Sequence, residues 1–203
     1  MGGVDAAKRV QAGETFDVVL LAADAINKLM AAGHVQPGSR VDVVTSPVAV
    51  AVRAGAVRPG FNPDISSEVA LKATVLAARS ISFSTGPSGV YLTQLFERWG
   101  IADAVSGRMV QAPPGVPVGS LVASGQVELG FQQLSELMHL PSVQVLGLLP
   151  GATAFITTFS AALGKHLVLG SPQHQAVADM LAFFNSPQAA DTKGRHGMEP
   201  AHI

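Results

Sequence analysis

The sequence predicts an α/β fold of two lobes joined by two extended strands, and three observations carry that expectation. Segments with the period of a strand alternate with segments of helical period along nearly all 203 residues, the pattern of a mainly parallel sheet covered by helices. Two long apolar runs, Val41–Arg53 and Phe155–Leu163, flank a central block of the chain, as two hinge strands between lobes would; single long strands within one sheet are the other reading. Hydrophobic residues make up 48% of the chain and charged residues 13%, enough apolar surface for an ordered core.

Taken in order, the chain opens with a helix over Asp5–Ala12, closed by Gly13 and followed by a strand over Asp17–Ala22. Asp24 is placed to cap a second helix whose Ile26, Leu29 and Met30 face inward, with Gly33 as its stop. Pro47 interrupts the Val41–Arg53 run, so two strand segments meeting at Thr45-Ser46-Pro47 are expected. Gly55–Asp64 reads as a Pro/Gly-rich loop, after which Ser66 caps a helix running to about Arg79. Ile81 and Phe83 alternate in a short strand that breaks at Gly86-Pro87, and a helix runs from there to Trp99. A strand at Met109–Gln111, the loop Ala112–Pro117 and a helix ending at Gly125 come next. Val127–Gln132 is a strand, Ser135–Met138 a one-turn helix, and Val143–Leu149 and Phe155–Leu163 are strands. Ser171-Pro172 and Ser186-Pro187 are paired cap and first-turn signals for two closing helices. Val177, Met180, Leu181 and Phe184 form the buried stripe of the first of these.

Composition excludes several classes of function. A formal net charge of −1 and the absence of any basic block beyond Lys8-Arg9 argue against nucleic acid or a membrane surface as partner. The chain has no cysteine, which rules out thiol catalysis, disulfides and cysteine metal sites. No apolar run approaches the roughly 20 residues of a membrane span, and Met1-Gly2-Gly3-Val4-Asp5 has neither a basic start nor an apolar signal core.

The strongest functional signal is the stretch Ser80–Trp99. Tyr91, Leu92, Leu95, Phe96 and Trp99 recur at helical spacing and give the helix one apolar face. Pro87 sits at its first position, where its fixed φ is pre-set and its missing N–H is not needed. The N–H groups of Ser88 and Gly89 are then expected to point outward from the positive end of the helix dipole, beside the hydroxyls of Ser84, Thr85 and Ser88. That combination holds a small anion without a charged side chain. The competing reading is an ordinary capped helix.

The blocks Phe16–Asp24, Gly38–Val41, Ser84–Tyr91 and Pro117–Gln133 resemble the molybdate-binding-protein-like group of type II periplasmic solute-binding proteins of ABC transporters. The resemblance covers the chain from about residue 1 to about residue 200. It implies a bilobal fold with two mixed or parallel sheets flanked by helices. Lobe one would combine 1–50 with 157–203 and lobe two would be 51–156, with hinge strands near 47–53 and 155–163. It further implies a small anionic ligand, an oxyanion such as molybdate or an organic acid, bound between the lobes and delivered to the membrane subunits of a transporter in the periplasm. Carried over position by position, ligand contacts fall at the Met1–Gly3 helix start (Gly2, Gly3) and at Thr45 and Ser46. Others fall at Ser84, Thr85, Ser88, Gly89, Val90 and Tyr91, and at Gln132 and Gln133. No cofactor and no metal are expected.

One departure from the group concerns the N-terminus. Group members carry a signal peptide and a strand–helix–strand unit ahead of the position that Met1 occupies here. A start assigned late is the expected explanation; the alternatives are a second chain filling the gap, which would make a dimer, and a remnant without a full binding site. A chain that truly began at Met1 would be cytoplasmic.

Aconitate isomerase resembles the same group, and an isomerase that moves a proton on a tricarboxylate is the alternative function. It would require a positioned acid/base and a carboxylate clamp, and the sequence offers no obvious base. No catalytic residue is therefore assigned. His34, His139, His166, His174, His196 and His202 contain no i, i+4 pair of the kind a helical metal site uses. Ser46, Ser84 and Ser88 lack the partners of a nucleophile, and Gly86–Gly89 lacks the lysine of a phosphate-binding P-loop. Glu128 and Glu136 give no sign of a shared site, and Arg53 reads as a solvated loop charge, with pairing to a carboxylate ligand as the second reading.

Overall fold

The computed structural model describes residues 2–201, so Met1 and His202 lie outside the described residues. In chain order the elements are α1 (Gly3–Gln11), β1 (Val18–Ala22), α2 (Ala23–Ala31), β2 (Val41–Arg53), α3 (Glu68–Ala77), β3 (Ile81–Phe83) and α4 (Pro87–Arg98). They continue with α5 (Ala102–Ser106), β4 (Met109–Gln111), α6 (Val118–Ala123), β5 (Leu129–Gln133), α7 (Leu134–Leu137) and β6 (Val143–Leu148). After a 3-10 turn at Gly151–Thr153 come β7 (Ile156–Leu163), α8 (Pro172–Phe184), α9 (Pro187–Arg195) and β8 (Glu199–Pro200). The chain divides into two compact units, Met1–Ser46 with Thr157–Ile203, and Pro47–Ile156.

In unit one, β1 pairs antiparallel with β7 from Val18 opposite Leu163 to Ala22 opposite Phe159. The first half of β2 pairs with β8 at Val44 and Thr45. Ile26, Leu29 and Val35 pack with Val10, Val19 and Leu21 into one cluster. Val177, Leu181, Met180 and Phe184, the stripe expected on α8, close a second cluster over Val43 and Val44.

In unit two the strand order is β6-β2-β5-β3-β4. β3 runs parallel to both β4 and β5, with Ile81–Phe83 opposite Met109–Gln111 on one side and Leu129–Phe131 on the other. The second half of β2 is antiparallel to β5 and β6. The sheet of unit two is thus mixed, with parallel pairing across β5-β3-β4. The alternation of elements had suggested more, because it does not reveal that β2 enters each unit against its neighbours. Leu92, Leu95 and Phe96 of α4 meet Ile81, Leu129 and Phe131 in the main core of this unit, and the rings of Phe96 and Phe131 lie edge to face at 6.3 Å.

Several local expectations are corrected. Pro47 does not split the Val41–Arg53 run, and β2 is one strand of 13 residues. Pro47 falls between the residues that pair with β8 (Val44, Thr45) and those that pair with β5 (Val48 onward), where no hydrogen bond of either ladder requires its N–H. The cap of α3 is Ser67, whose hydroxyl accepts from the Ala70 N–H at 3.1 Å, while the Ser66 N–H is taken by Asp64. That helix stops at Ala77, and the N–H of Arg79 goes to the Glu128 carboxylate at 2.7 Å. Asp24 lies inside the first turn of α2 instead of capping it, so it acts on the helix dipole. α5, β8 and the 3-10 turn were not anticipated, being too short to show a period.

Candidate functional site

The parallel strands β3 and β5 end side by side, with Phe83 opposite Phe131. Ser84–Gly86 therefore leave the sheet at the carboxyl end of β3, beside Gln132 and Gln133, which close β5 while still paired with Ala49 and Val48 of β2; carboxyl ends are the position where α/β sheets hold ligands. Gly86 is the N-cap of α4 and Pro87 its first residue, and the glycine brings no side-chain acceptor for the N–H groups behind it. The hydroxyls of Ser84 and Ser88 lie 3.0 Å apart, and the Gly86 N–H donates to Ser84 Oγ at 3.2 Å. Ser88 is only 2% exposed. Since one serine donates to the other, one hydroxyl proton of the pair remains to be given to a ligand.

The structure narrows the backbone donors. Gly89 donates its N–H to the Gly86 carbonyl at 3.0 Å, and Val90 donates to the same oxygen at 3.2 Å. Gly89 is therefore not an outward donor as the sequence suggested, and the donor left at the helix start is the Ser88 N–H. Gly89 has a different role. A Cβ at that position would overlap the Ser84 carbonyl oxygen and press on Phe83, so glycine lets the turn fold back onto the helix. Thr85 is half-buried beside the turn and Val90 is exposed. Tyr91 gives its hydroxyl proton to the Thr153 carbonyl at 2.9 Å and stacks on Phe155 at 4.3 Å. The ring is locked, and its oxygen keeps only accepting capacity.

Gln132 and Gln133 separate by face. Gly130 lies against Val118 and Val122 of α6, whereas Leu129 and Phe131 join the α4 side of the sheet. By the two-residue period of a strand, Gln132 continues the α6 face and Gln133 the α4 face. The side chain of Gln132, 4% exposed, accepts the Gly119 N–H of α6 at 3.1 Å. It also hydrogen-bonds the Glu136 carboxyl, whose pKa is pushed up by desolvation and drawn back in part by that bond, although Glu136 as a residue is exposed. Gln132 is thus engaged inside unit two as a tie between β5, α6 and α7. Its link to Glu136 went unseen because the i, i+4 spacing runs across a strand–helix junction.

The remaining candidates lie in unit one. Gly2 is the N-cap of α1 and its carbonyl accepts from Ala6 at 3.1 Å. Gly3 is the exposed first residue of that helix. Thr45 Oγ1 reaches the Glu199 carbonyl at 3.5 Å, and Ser46 is fully buried. Glu128 and Glu136 share no site: Glu128 binds Arg58 Nε at 2.8 Å and the Arg79 N–H. Arg53 lies over Gly125, at the C-terminal end of α6, and pairs with Val143. It is at the amino end of β5, away from the Ser84 turn, so its cation complements a helix C-terminus. Among the described residues no group of three or more His, Asp or Glu is arranged to hold a metal ion, and no helix is long and apolar enough to cross a membrane.

A family model described as bacterial extracellular solute-binding protein matches residues 1–199. Aconitate isomerase from a Pseudomonas species is 38% identical over 195 residues, spanning 95% of this chain and 70% of that protein. Among solved structures, the periplasmic molybdate-binding protein of Azotobacter vinelandii superposes with a TM-score of 0.74 at 19% identity, over 98% of this chain and 85% of that one. The sulfate-binding protein SubI of Mycobacterium tuberculosis H37Rv gives 0.70 at 17% identity, over 98% and 74%. At such identities the two structures speak for the fold alone.

Proposed function

The chain belongs to the bacterial extracellular solute-binding protein family, and from that premise we propose that it binds a small anion as the solute-binding component of an ABC transporter in the periplasm. The observation that carries this reading is the Ser84–Ser88 hydroxyl pair at the start of α4, beside the carboxyl end of β5. It offers a buried hydroxyl, an uncapped backbone N–H and the positive end of a helix dipole, all at once. Ser84, Thr85 and Ser88 are the contacts in unit two, with Gln133 on the same face of the sheet. Gly89 shapes the turn, Val90 and Tyr91 flank it, and Gln132 ties β5 to α6 and α7. Gly2, Gly3, Thr45 and Ser46 are the contacts in unit one. The lobes and hinges expected from the sequence, 1–50 with 157–203, 51–156, and strands near 47–53 and 155–163, belong to the same reading.

The ligand is an organic polyacid in preference to molybdate, because the relative at 38% identity is named for a tricarboxylate. That relative also favours a second reading, isomerisation of such an acid. The reaction breaks one C–H bond and makes another on the same molecule, so it consumes no cofactor, but it requires a base that binding does not.

Thermal shift against molybdate, tungstate, sulfate, citrate, cis-aconitate and trans-aconitate tests both readings. A ligand at 100 times its Kd stabilises by about 2.7 kcal/mol, so the true solute stands out. Ser88→Ala is expected to weaken that ligand by roughly tenfold, the worth of one hydrogen bond to a charged group. Unchanged affinity would remove the Ser84–Ser88 turn from the site. Interconversion of cis- and trans-aconitate by purified protein establishes the enzyme, and a response to molybdate alone rules it out.

A further inference from the structure

Unit one carries a cleft of about 280 Å³ that the reading above does not use. Val10, Phe16 and Val19 give it an apolar floor, and its rim comes from the turns after α1, after α2 and after β7, with Thr15, His34 and Lys165. The turns meet closely because Gly164 donates its N–H to the Asp17 carbonyl at 2.9 Å. A Cβ on Gly164 would overlap the Phe16 carbonyl oxygen, so only glycine closes the back wall this way.

The charges at this cleft decide what it suits. The Glu14 carboxylate is engaged by Arg9 through Nε and Nη2, and the Asp17 carboxylate lies 3.2 Å from His166 Nε2. In the last turn of α1 the carbonyls of Lys8, Val10 and Arg9 are taken by the N–H groups of Ala12, Gly13 and Glu14, and in that of α2 the carbonyls of Lys28, Met30 and Leu29 by those of Ala32, Gly33 and His34. Both carboxylates at the rim are thus engaged. The Lys165 ammonium and the His34 ring make no hydrogen bond or ion pair among the described residues. What remains is an unpaired cation and a second donor above an apolar floor, in a cleft just below the roughly 300–1,000 Å³ of most ligand pockets and so suited to a small molecule.

We propose that this cleft binds a small carboxylate with an apolar body, the carboxylate at Lys165 and His34 and the body on Val10, Phe16 and Val19. The site is independent of the Ser84–Ser88 turn, and so is its test. Isotope-labelled protein is titrated with sodium benzoate, with benzylamine and inorganic phosphate as controls, while backbone amide shifts are followed. Benzoate is expected to give saturable shifts at Gly33, His34, Gly164 and Lys165 in the low millimolar range, with neither control doing so. Lys165→Glu, an exposed position, is expected to weaken benzoate at least tenfold and to leave the thermal response to citrate, aconitate and the oxyanions unchanged. Absence of saturable shifts at these amides, an equal response to benzylamine, or unaltered affinity in Lys165→Glu overturns the proposal.

Discussion

Ser82 sits on β3 with no exposed surface, and its hydroxyl has no hydrogen-bond partner among the described residues. Two residues on, Ser84 has two partners, Ser88 and the Gly86 N–H. The contrast follows from the strand. Ser82 is opposite Gly130, on the face that α6 covers with the apolar side chains of Val118 and Val122, whereas Ser84 has left the sheet and meets a helix start. A buried hydroxyl without a partner costs about 1–3 kcal/mol of desolvation. Ser82→Ala removes that cost and leaves a methyl in place of a methylene and hydroxyl. Stability is therefore expected to rise by about 1 kcal/mol in urea unfolding. A loss of stability would mean that the hydroxyl has a partner worth keeping.

At the scale of elements, Glu128 holds together pieces that the sequence sets far apart. It precedes β5, binds Arg58 in the loop before α3, and accepts the N–H of Arg79 just ahead of β3. Burial alone would raise its pKa, but the hydrogen bonds from Arg58 and Arg79 win and hold it below its ordinary value of 4.5. A carboxylate depressed in the folded state adds stability that is fully present above its unfolded pKa and is lost as pH falls through the folded one. Glu128→Gln is accordingly expected to lower stability at neutral pH by about 1 kcal/mol, the pair being partly reached and screened by solvent. The gap from the parent should close as both are taken below pH 4.5. Denaturant midpoints for the two proteins across that range check the sign, and a gap that widens in acid defeats the account. Glu128 also shows where the sequence stops being legible. The apolar stripe of α4, the Gly86-Pro87 entry and the stripe of α8 are local patterns, and they fold as they read. Pro47 inside an unbroken strand, the cap at Ser67, and the direction of Gln132 toward α6 depend on partners brought from elsewhere in the chain. For the same reason the Ser84–Ser88 turn was readable as a whole, while the engagement of the Gly89 N–H by Gly86 was not.

For the molecule as a whole, each buried apolar cluster draws its residues from one unit. The main core around Phe96 and Phe131 lies within Pro47–Ile156, and the clusters around Ile26 and around Val177 lie within the other unit. The strand β2 runs through both, from Val41 to Arg53. A protein built on separate cores can open one while keeping the other. Phe96 is the probe, because it is fully buried and touches both Trp99, at 5.9 Å between rings, and Phe131. Phe96→Ala is expected to cost about 3–5 kcal/mol in the unit that contains it. Hydrogen exchange should then accelerate at the amides of β3 and β5, while those of β1, paired along Val18–Ala22 with β7, keep their protection. Equal acceleration in β1 would mean that the strand shared by both units makes the whole chain unfold as one, and that separate cores in the structure do not amount to separate stabilities.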